Sequence, residues 1–212
     1  MKRILLLLTI GLFATNLQAQ EDKDALAKKI LTELGEKTKS YKSMDIEFKL
    51  TIKSKDLNES QTGKAQTKGV KFHYTTSDRE VFCDGETVWS YIKDDNECYV
   101  DDVEDVSDFN PSEIMTIWDK NFRHQYVKEV TDGSNIHEIK LFPINPKESK
   151  YHTVILTIDR TKKQIKKVII KTKDGLTLLF SISKFTSNTE INDSVFKWTK
   201  AKHPGVDEID NR

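Results

Sequence analysis

Cysteine is scarce in this sequence: Cys83 and Cys98 are the only two in 212 residues. A scaffold stapled by several disulfides is therefore excluded. The two cysteines fall on the first and third strands of an expected meander. Next-nearest strands lie roughly 9–10 Å apart, too far for regular strands to share a disulfide, so the geometry disfavours a bridge even in an exported chain. An excess of either charge is also missing. The 34 basic residues match the 34 acidic ones, whereas a nucleic-acid binder would carry a basic excess. Catalytic motifs are absent too: there is no G-x-S-x-G, no P-loop, no G-x-G-x-x-G and no H-E-x-x-H. The histidines His73, His124, His137, His152 and His203 show no metal-ligand spacing on one element. His137 and Glu138 are neighbours in a strand and point to opposite faces. No catalytic residue, metal or cofactor is expected, and an enzyme is the least supported reading.

Long apolar runs are limited to one. Ile4 to Phe13 follows Lys2 and Arg3 and precedes the small residue Ala19. It is too short to span a bilayer comfortably, and a positive start with a small residue before Gln20 reads as a secretory signal peptide over 1–19. No cysteine near the cleavage point offers a lipid anchor. Residues 20–212 are then expected to form a single exported domain, since no linker, repeat or low-complexity segment divides them.

Charge is uneven along the chain. Acidic residues crowd 94–108, and Lys162, Lys163, Lys166, Lys167, Lys171 and Lys173 crowd a second region. Each is either a solvated face or a docking patch for a charged partner.

The periodicity begins helical and turns to two. Asp22 to Tyr41 predicts an amphipathic helix, with Leu26, Ile30 and Leu34 at i+4 spacing and Ala27 and Leu31 widening the stripe. Ile46, Phe48, Leu50 and Ile52 then alternate with polar residues, as in a half-buried strand. Further strands are expected over 60–68, 71–75, 80–83, 87–92, 97–103, 124–130, 136–142, 153–159, 165–172 and 176–185. Asp84-Gly85 marks a hairpin, because glycine tolerates the positive φ of a tight turn. Thr131-Asp132-Gly133-Ser134 marks another turn. The break in this pattern is Asn110-Pro111-Ser112-Glu113, a helix start with Asn as cap and Pro at the first helical position. Ile114, Met115, Ile117 and Trp118 make this short helix apolar. About eleven strands joined by short turns, with no crossover helices, form one large curved antiparallel sheet or barrel.

Large apolar groups recur at alternating strand positions: Phe48, Phe72, Tyr74, Trp89, Tyr91, Leu178 and Phe180. Helices must plug the concave side of a single curved sheet. These residues therefore form either a filled core or the walls of a cavity for a hydrophobic guest, and periodicity does not separate the two.

The segment D-G-E-T-V-W-S-Y (84–91) resembles the D-G-K-x-L-W-x-Y signature of the periplasmic outer-membrane lipoprotein carrier family, the LolA-like proteins. The Gln61-x-Gly63 strand, Phe72-His73-Tyr74, the apolar helix after Asn110-Pro111, and Phe196-Lys197-Trp198 with Pro204-Gly205-Val206-Asp207 follow in the family's order. The resemblance implies an unclosed antiparallel half-barrel, with an N-terminal helix and a short lid helix on the concave side. It implies lipid contact by Phe48, Phe72, Tyr74, Trp89, Tyr91, Ile114, Met115, Ile117, Trp118, Leu178 and Phe180. The implied partners are acylated lipoproteins, an inner-membrane lipoprotein-releasing ABC transporter and, where one exists, an outer-membrane receptor. A periplasmic monomer that carries lipoproteins is expected; a lipid- or lipoprotein-sensing module on the same fold is the alternative. One departure stands out. The family often has Arg-Pro before the aromatic strand, an Arg linked to lid closure, whereas this chain reads Lys68-Gly69-Val70-Lys71-Phe72. Lys68 could supply a charge there but not a planar fork of donors.

Overall fold

The computed structural model describes residues 23–105, 111–119, 121–129 and 135–212. The expected leader over 1–19, the Asn110 cap and the 131–134 turn lie outside these residues. Helix α1 covers 23–39. It is followed by β1 (Met44–Lys53), β2 (Asn58–Lys68), β3 (Lys71–Thr75), β4 (Arg79–Cys83), β5 (Thr87–Ile92) and β6 (Glu97–Asp102). A short helix α2 (Pro111–Ile114) and a 3-10 turn (Ile117–Asp119) interrupt the strands. Then come β7 (Phe122–Glu129), β8 (Ile136–Pro143), β9 (Tyr151–Asp159), β10 (Gln164–Thr172) and β11 (Thr177–Ser187). Two further 3-10 turns, Asp193–Phe196 and Lys200–Lys202, lead to β12 (Asp207–Asp210).

All twelve strands belong to one sheet, ordered β12-β6-β5-β4-β3-β2-β1-β11-β10-β9-β8-β7. The first six strands run outward from β1 in one direction, and β11 back to β7 run outward in the other. The two edges, β12 and β7, are not paired, so the half-barrel stays open. Register shifts at Glu47/Phe48, Ile165/Lys167 and Tyr126/Lys128 bend individual strands and add curvature. β6 and β7 lie at or next to opposite edges, and between them the apolar residues Ile114, Met115, Ile117 and Trp118 pack into the inner apolar cluster.

The Asp84-Gly85 hairpin forms as expected. Gly85 has φ of +105°, and the Asp84 carboxylate accepts the backbone N–H groups of Glu86 and Thr87 at 3.2 and 3.1 Å. The structure adds a twelfth strand to the roughly eleven expected. Asp207–Asp210 reads D-E-I-D, without the apolar alternation of a half-buried strand, and pairs parallel with β6. The α1 stripe is also rotated from its expected position. Ala27, Leu31, Leu34 and Thr38 are buried, whereas Leu26 is 41% exposed. Gly35 lies against the lid: a Cβ there would sit 3.5 Å from Trp118 Nε1.

The cysteines are free. Cys83 is paired opposite Phe72 and Val88, which places it on the inner face, while Cys98 is opposite Tyr91. Their side chains therefore leave the sheet on opposite faces, with β5 between them. Burial pushes both thiols up, Cys98 to about 12, so neither is a ready thiolate.

Candidate site: an apolar cavity in the half-barrel

The inner face carries one continuous apolar cluster. It joins α1 through Ala27, Leu31 and Leu34, the strands through Ile46, Phe48, Phe72, Tyr74, Val168 and Phe180, and the lid through Ile114, Met115, Ile117 and Trp118. At one end the packing is incomplete. A cavity of about 450 Å³ opens there, lined by Phe48, Leu50, Ile52, Tyr74, Ile114, Ile170, Leu178 and Phe180. Its rim is polar: Glu59, Gln61, Thr76, Asp78 and Arg79.

The floor is set by local sequence. Phe48 stacks at a tilt on Phe180, with ring centroids 4.8 Å apart, and is 2% exposed. Its ring lies over β2, where Gly63 is directly opposite in the pairing. A Cβ on Gly63 would stand 2.5 Å from Phe48 Cζ and 2.6 Å from the Thr75 carbonyl oxygen. The glycine of Gln61-x-Gly63 is therefore the space that lets Phe48 lie flat. At the rim, burial pushes the Asp78 carboxyl up. The Thr76 hydroxyl, which donates to it at 2.6 Å, its own backbone and Arg79 outweigh that, so it is held below the usual carboxylate range.

A larger hollow of about 640 Å³ is lined by Asp24, Lys28, Arg123 and His124 among others. Its charged walls suit water, not a hydrophobic guest. Burial depresses the His124 imidazole below its ordinary value. Among the described residues no group of His, Cys, Asp and Glu could hold a metal ion.

The structure divides the expected lining residues into three sets. Phe48, Tyr74, Ile114, Leu178 and Phe180 line the cavity. Phe72, Met115, Ile117 and Trp118 are packed in the inner cluster beside it. Trp89 and Tyr91 are a correction, because they project from the other face. Trp89 is directly opposite Phe82 and Val100, and directly opposed residues share a face. Tyr91 lies 5.4 Å from the Trp198 ring and 5.3 Å from His203.

That outer face has its own cover. Residues 188–206 fold over β3 and β4, burying Ile191, Phe196 and Val206. Trp198 stacks on His203 at 3.9 Å, meets Phe82 edge-on, and donates its indole N–H to Glu208 at 2.6 Å. Lys68 and Lys71 hold this segment by donating to the two carboxylate oxygens of Asp193, each at 2.6 Å, and Lys68 also reaches the Ile191 carbonyl. Both lysines hydrogen-bond to Asp193, which is held down to about 2. Lys68 thus serves the outer clasp and does not stand in for a lid-closing Arg.

Leu50, Ile52 and Ile170 line the cavity but were not among the expected site residues. The alternation through Phe48 contained the signal for Leu50 and Ile52. The rim carries no comparable pattern, because Glu59 comes from β2 and Asp78-Arg79 from the entry to β4.

A sequence model described as "Outer membrane lipoprotein carrier protein LolA" matches residues 39–199. The chain belongs to this family. Solved structures similar in fold include the following two. An uncharacterized conserved protein from Thermus thermophilus has a TM-score of 0.58 at 8% identity, covering 87% of this chain and 99% of that one. A LolA superfamily protein from Nitrosomonas europaea has a TM-score of 0.46 at 12% identity, covering 81% and 97%. Among curated proteins, an uncharacterized protein of Methanocaldococcus jannaschii is 28% identical over 200 residues, covering 91% of this chain and 56% of that protein. The chain thus spans little more than half the length of that relative.

Proposed function

We propose that this protein is a periplasmic carrier that shields the acyl chains of lipoproteins between an inner-membrane ABC transporter and the outer membrane. The observation that carries the reading is the apolar cavity at the open end of the half-barrel, roofed by a short apolar lid. Family membership supports the same reading, and the Lys2-Arg3 start and Ile4–Phe13 run support export.

The size of the cavity makes the lid part of the mechanism. A methylene fills about as much space as a water molecule, ~30 Å³, so this cavity holds roughly fifteen methylenes. That is one acyl chain, and a triacyl anchor requires the lid to move. Burial of one such chain contributes on the order of 10 kcal/mol, at about 0.8 kcal/mol per methylene. This is enough to offset displacement of a short lid. The lid is also imperfectly held. Trp118 is 4% exposed, yet among the described residues its indole N–H has no hydrogen-bond partner. An orphaned buried donor costs about 1–3 kcal/mol, which lowers the cost of lifting the segment.

Native mass spectrometry of protein purified from its own cell envelope tests the proposal. Acylated species bound to the wild type support it; their absence, with no binding of acyl probes, contradicts it. A sensing module on the same fold is the second reading, favoured by the modest cavity. Depletion separates the two: outer-membrane lipoproteins stranded at the inner membrane indicate transport, and unchanged localisation indicates sensing.

A further inference from the structure

The outer face of the sheet is covered over only one of its halves. The segment 188–206 packs on β3 and β4, and β12 extends the edge beside β6. Across β1, β11, β10 and β9 the sheet continues, and its pairing register orders the outward side chains into rows. Leu179, Ile169 and Ile155 are directly opposite one another in one row. They are half-buried and lie outside the inner apolar cluster. On one side of them, Lys49 and Lys167 flank Ser181; on the other, Lys53 and Lys171 flank Thr177. Lys49 and Lys53 are four residues apart on one strand, about 13 Å, and β1 and β10 are two strand spacings apart, about 10 Å. The four lysines therefore mark the corners of a rectangle with an apolar midline.

This rectangle is short of countercharge. Among the described residues no carboxylate lies within 4 Å of Lys49, Lys53, Lys167 or Lys171, and nearby Glu47 is taken by Lys64 and Lys184 at 3.9 and 3.5 Å. Four cations on the outer face of the sheet, with no carboxylate partner among the described residues, complement a surface that carries many anions. Lysine suits such a surface. It is a mobile point charge that needs no fixed bidentate partner, and its alkyl stem lies along apolar neighbours while its head reaches the charge. An isoleucine–leucine midline between such stems fits the boundary between headgroups and acyl chains.

We infer that the outer face of β1, β11, β10 and β9 is a docking surface for anionic phospholipid bilayers. The surface lies on the opposite side of the sheet from the cavity. Docking by it leaves the cavity mouth at Ile52, Glu59 and Leu178 uncovered. The inference is independent of what the cavity holds, and it accounts for the clustered lysines of 162–173 through the two whose register places them on this face.

Vesicle flotation tests it, using vesicles of phosphatidylcholine alone and with about one-third phosphatidylglycerol. Each lysine near an anionic leaflet strengthens partitioning roughly fivefold. The variant K49Q/K53Q/K167Q/K171Q should lose at least a hundredfold in partitioning to the phosphatidylglycerol vesicles. The charge-matched control K29Q/K37Q/K197Q/K202Q should lose less than tenfold. Binding of a fluorescent fatty acid, measured on both variants, should match the wild type and reports the cavity separately. Equal losses in the two variants would reduce the effect to net charge and overturn the inference. So would wild-type protein that does not prefer phosphatidylglycerol vesicles, the result expected if the lysines serve an acidic protein instead.

Discussion

The two faces of strands β3 to β5 both carry aromatic rows, and they have opposite fates. On the inner face, Phe72 and Tyr74 stand 6.4 Å apart, under a lid that is four helical residues and a 3-10 turn. On the outer face, Phe82 and Tyr91 pack against a clasp pinned by Asp193, by the Trp198–Glu208 hydrogen bond and by a parallel strand, with Trp89 half-buried in the same row. Aromatic alternation alone does not make a binding site. The cover decides: a clasp with several independent anchors occupies its row, burying Phe82 and leaving Trp89 and Tyr91 half-buried, and a short roof beside incomplete packing leaves room for a guest.

The largest expected effect breaks the clasp. Phe196 is fully buried beneath it, and Phe196→Ala should cost about 3–5 kcal/mol of folding stability. Chemical denaturation measures the loss, and acyl-probe affinity of the folded protein should stay at the wild-type value. If affinity falls in parallel, the two faces are not separable.

Gly63→Ala attacks the inner face from beneath. The new methyl group would collide with the Phe48 ring and the Thr75 carbonyl. Overpacking of this kind costs about 1–3 kcal/mol, and the displaced ring should enter the cavity and weaken acyl-probe binding. Wild-type affinity in Gly63→Ala would remove Phe48 from the floor of the site.

Leu178→Glu sharpens the contrast from within the cavity. Leu178 is half-buried, so unfolding should be little affected. Acyl-probe Kd should rise at least tenfold, since an apolar side chain in contact contributes about 1.5–3 kcal/mol and tenfold is about 1.4 kcal/mol.

The smallest effect is electrostatic. Asp193 is held down to about 2 by Lys68 and Lys71, from an ordinary 3.8. A depressed carboxyl contributes stability above its unfolded value and loses it as pH falls through the folded one. Asp193→Ala should therefore lower Tm slightly at neutral pH. That difference should fade between about pH 4 and pH 2 in melting curves, as expected for an exposed ion pair.

Much of this fold is legible in the sequence because its physical signals are local. Period-two alternation marks β1, and Asp84-Gly85 places the β4–β5 hairpin. Topology follows from turns too short for anything but antiparallel neighbours. The site is less legible. Alternation says that Trp89 and Tyr91 share a face, but which face depends on pairing register with β4, and a shift of one residue reverses it. The register places Trp89 beside Phe82 and not beside Phe72. β12 escapes notice because D-E-I-D lacks apolar alternation and its partner is far away in the chain, Asp207 pairing with Glu97. The rim of Glu59, Asp78 and Arg79 is a product of folding alone.

Photo-crosslinking with a diazirine-bearing fatty acid, followed by peptide mapping, tests the central claim most directly. Adducts should concentrate on β1 and β11, at Phe48, Leu50, Leu178 and Phe180. Adducts on β5 and the 188–206 clasp, at Tyr91 or Trp198, would contradict the account and move the binding site to the outer face.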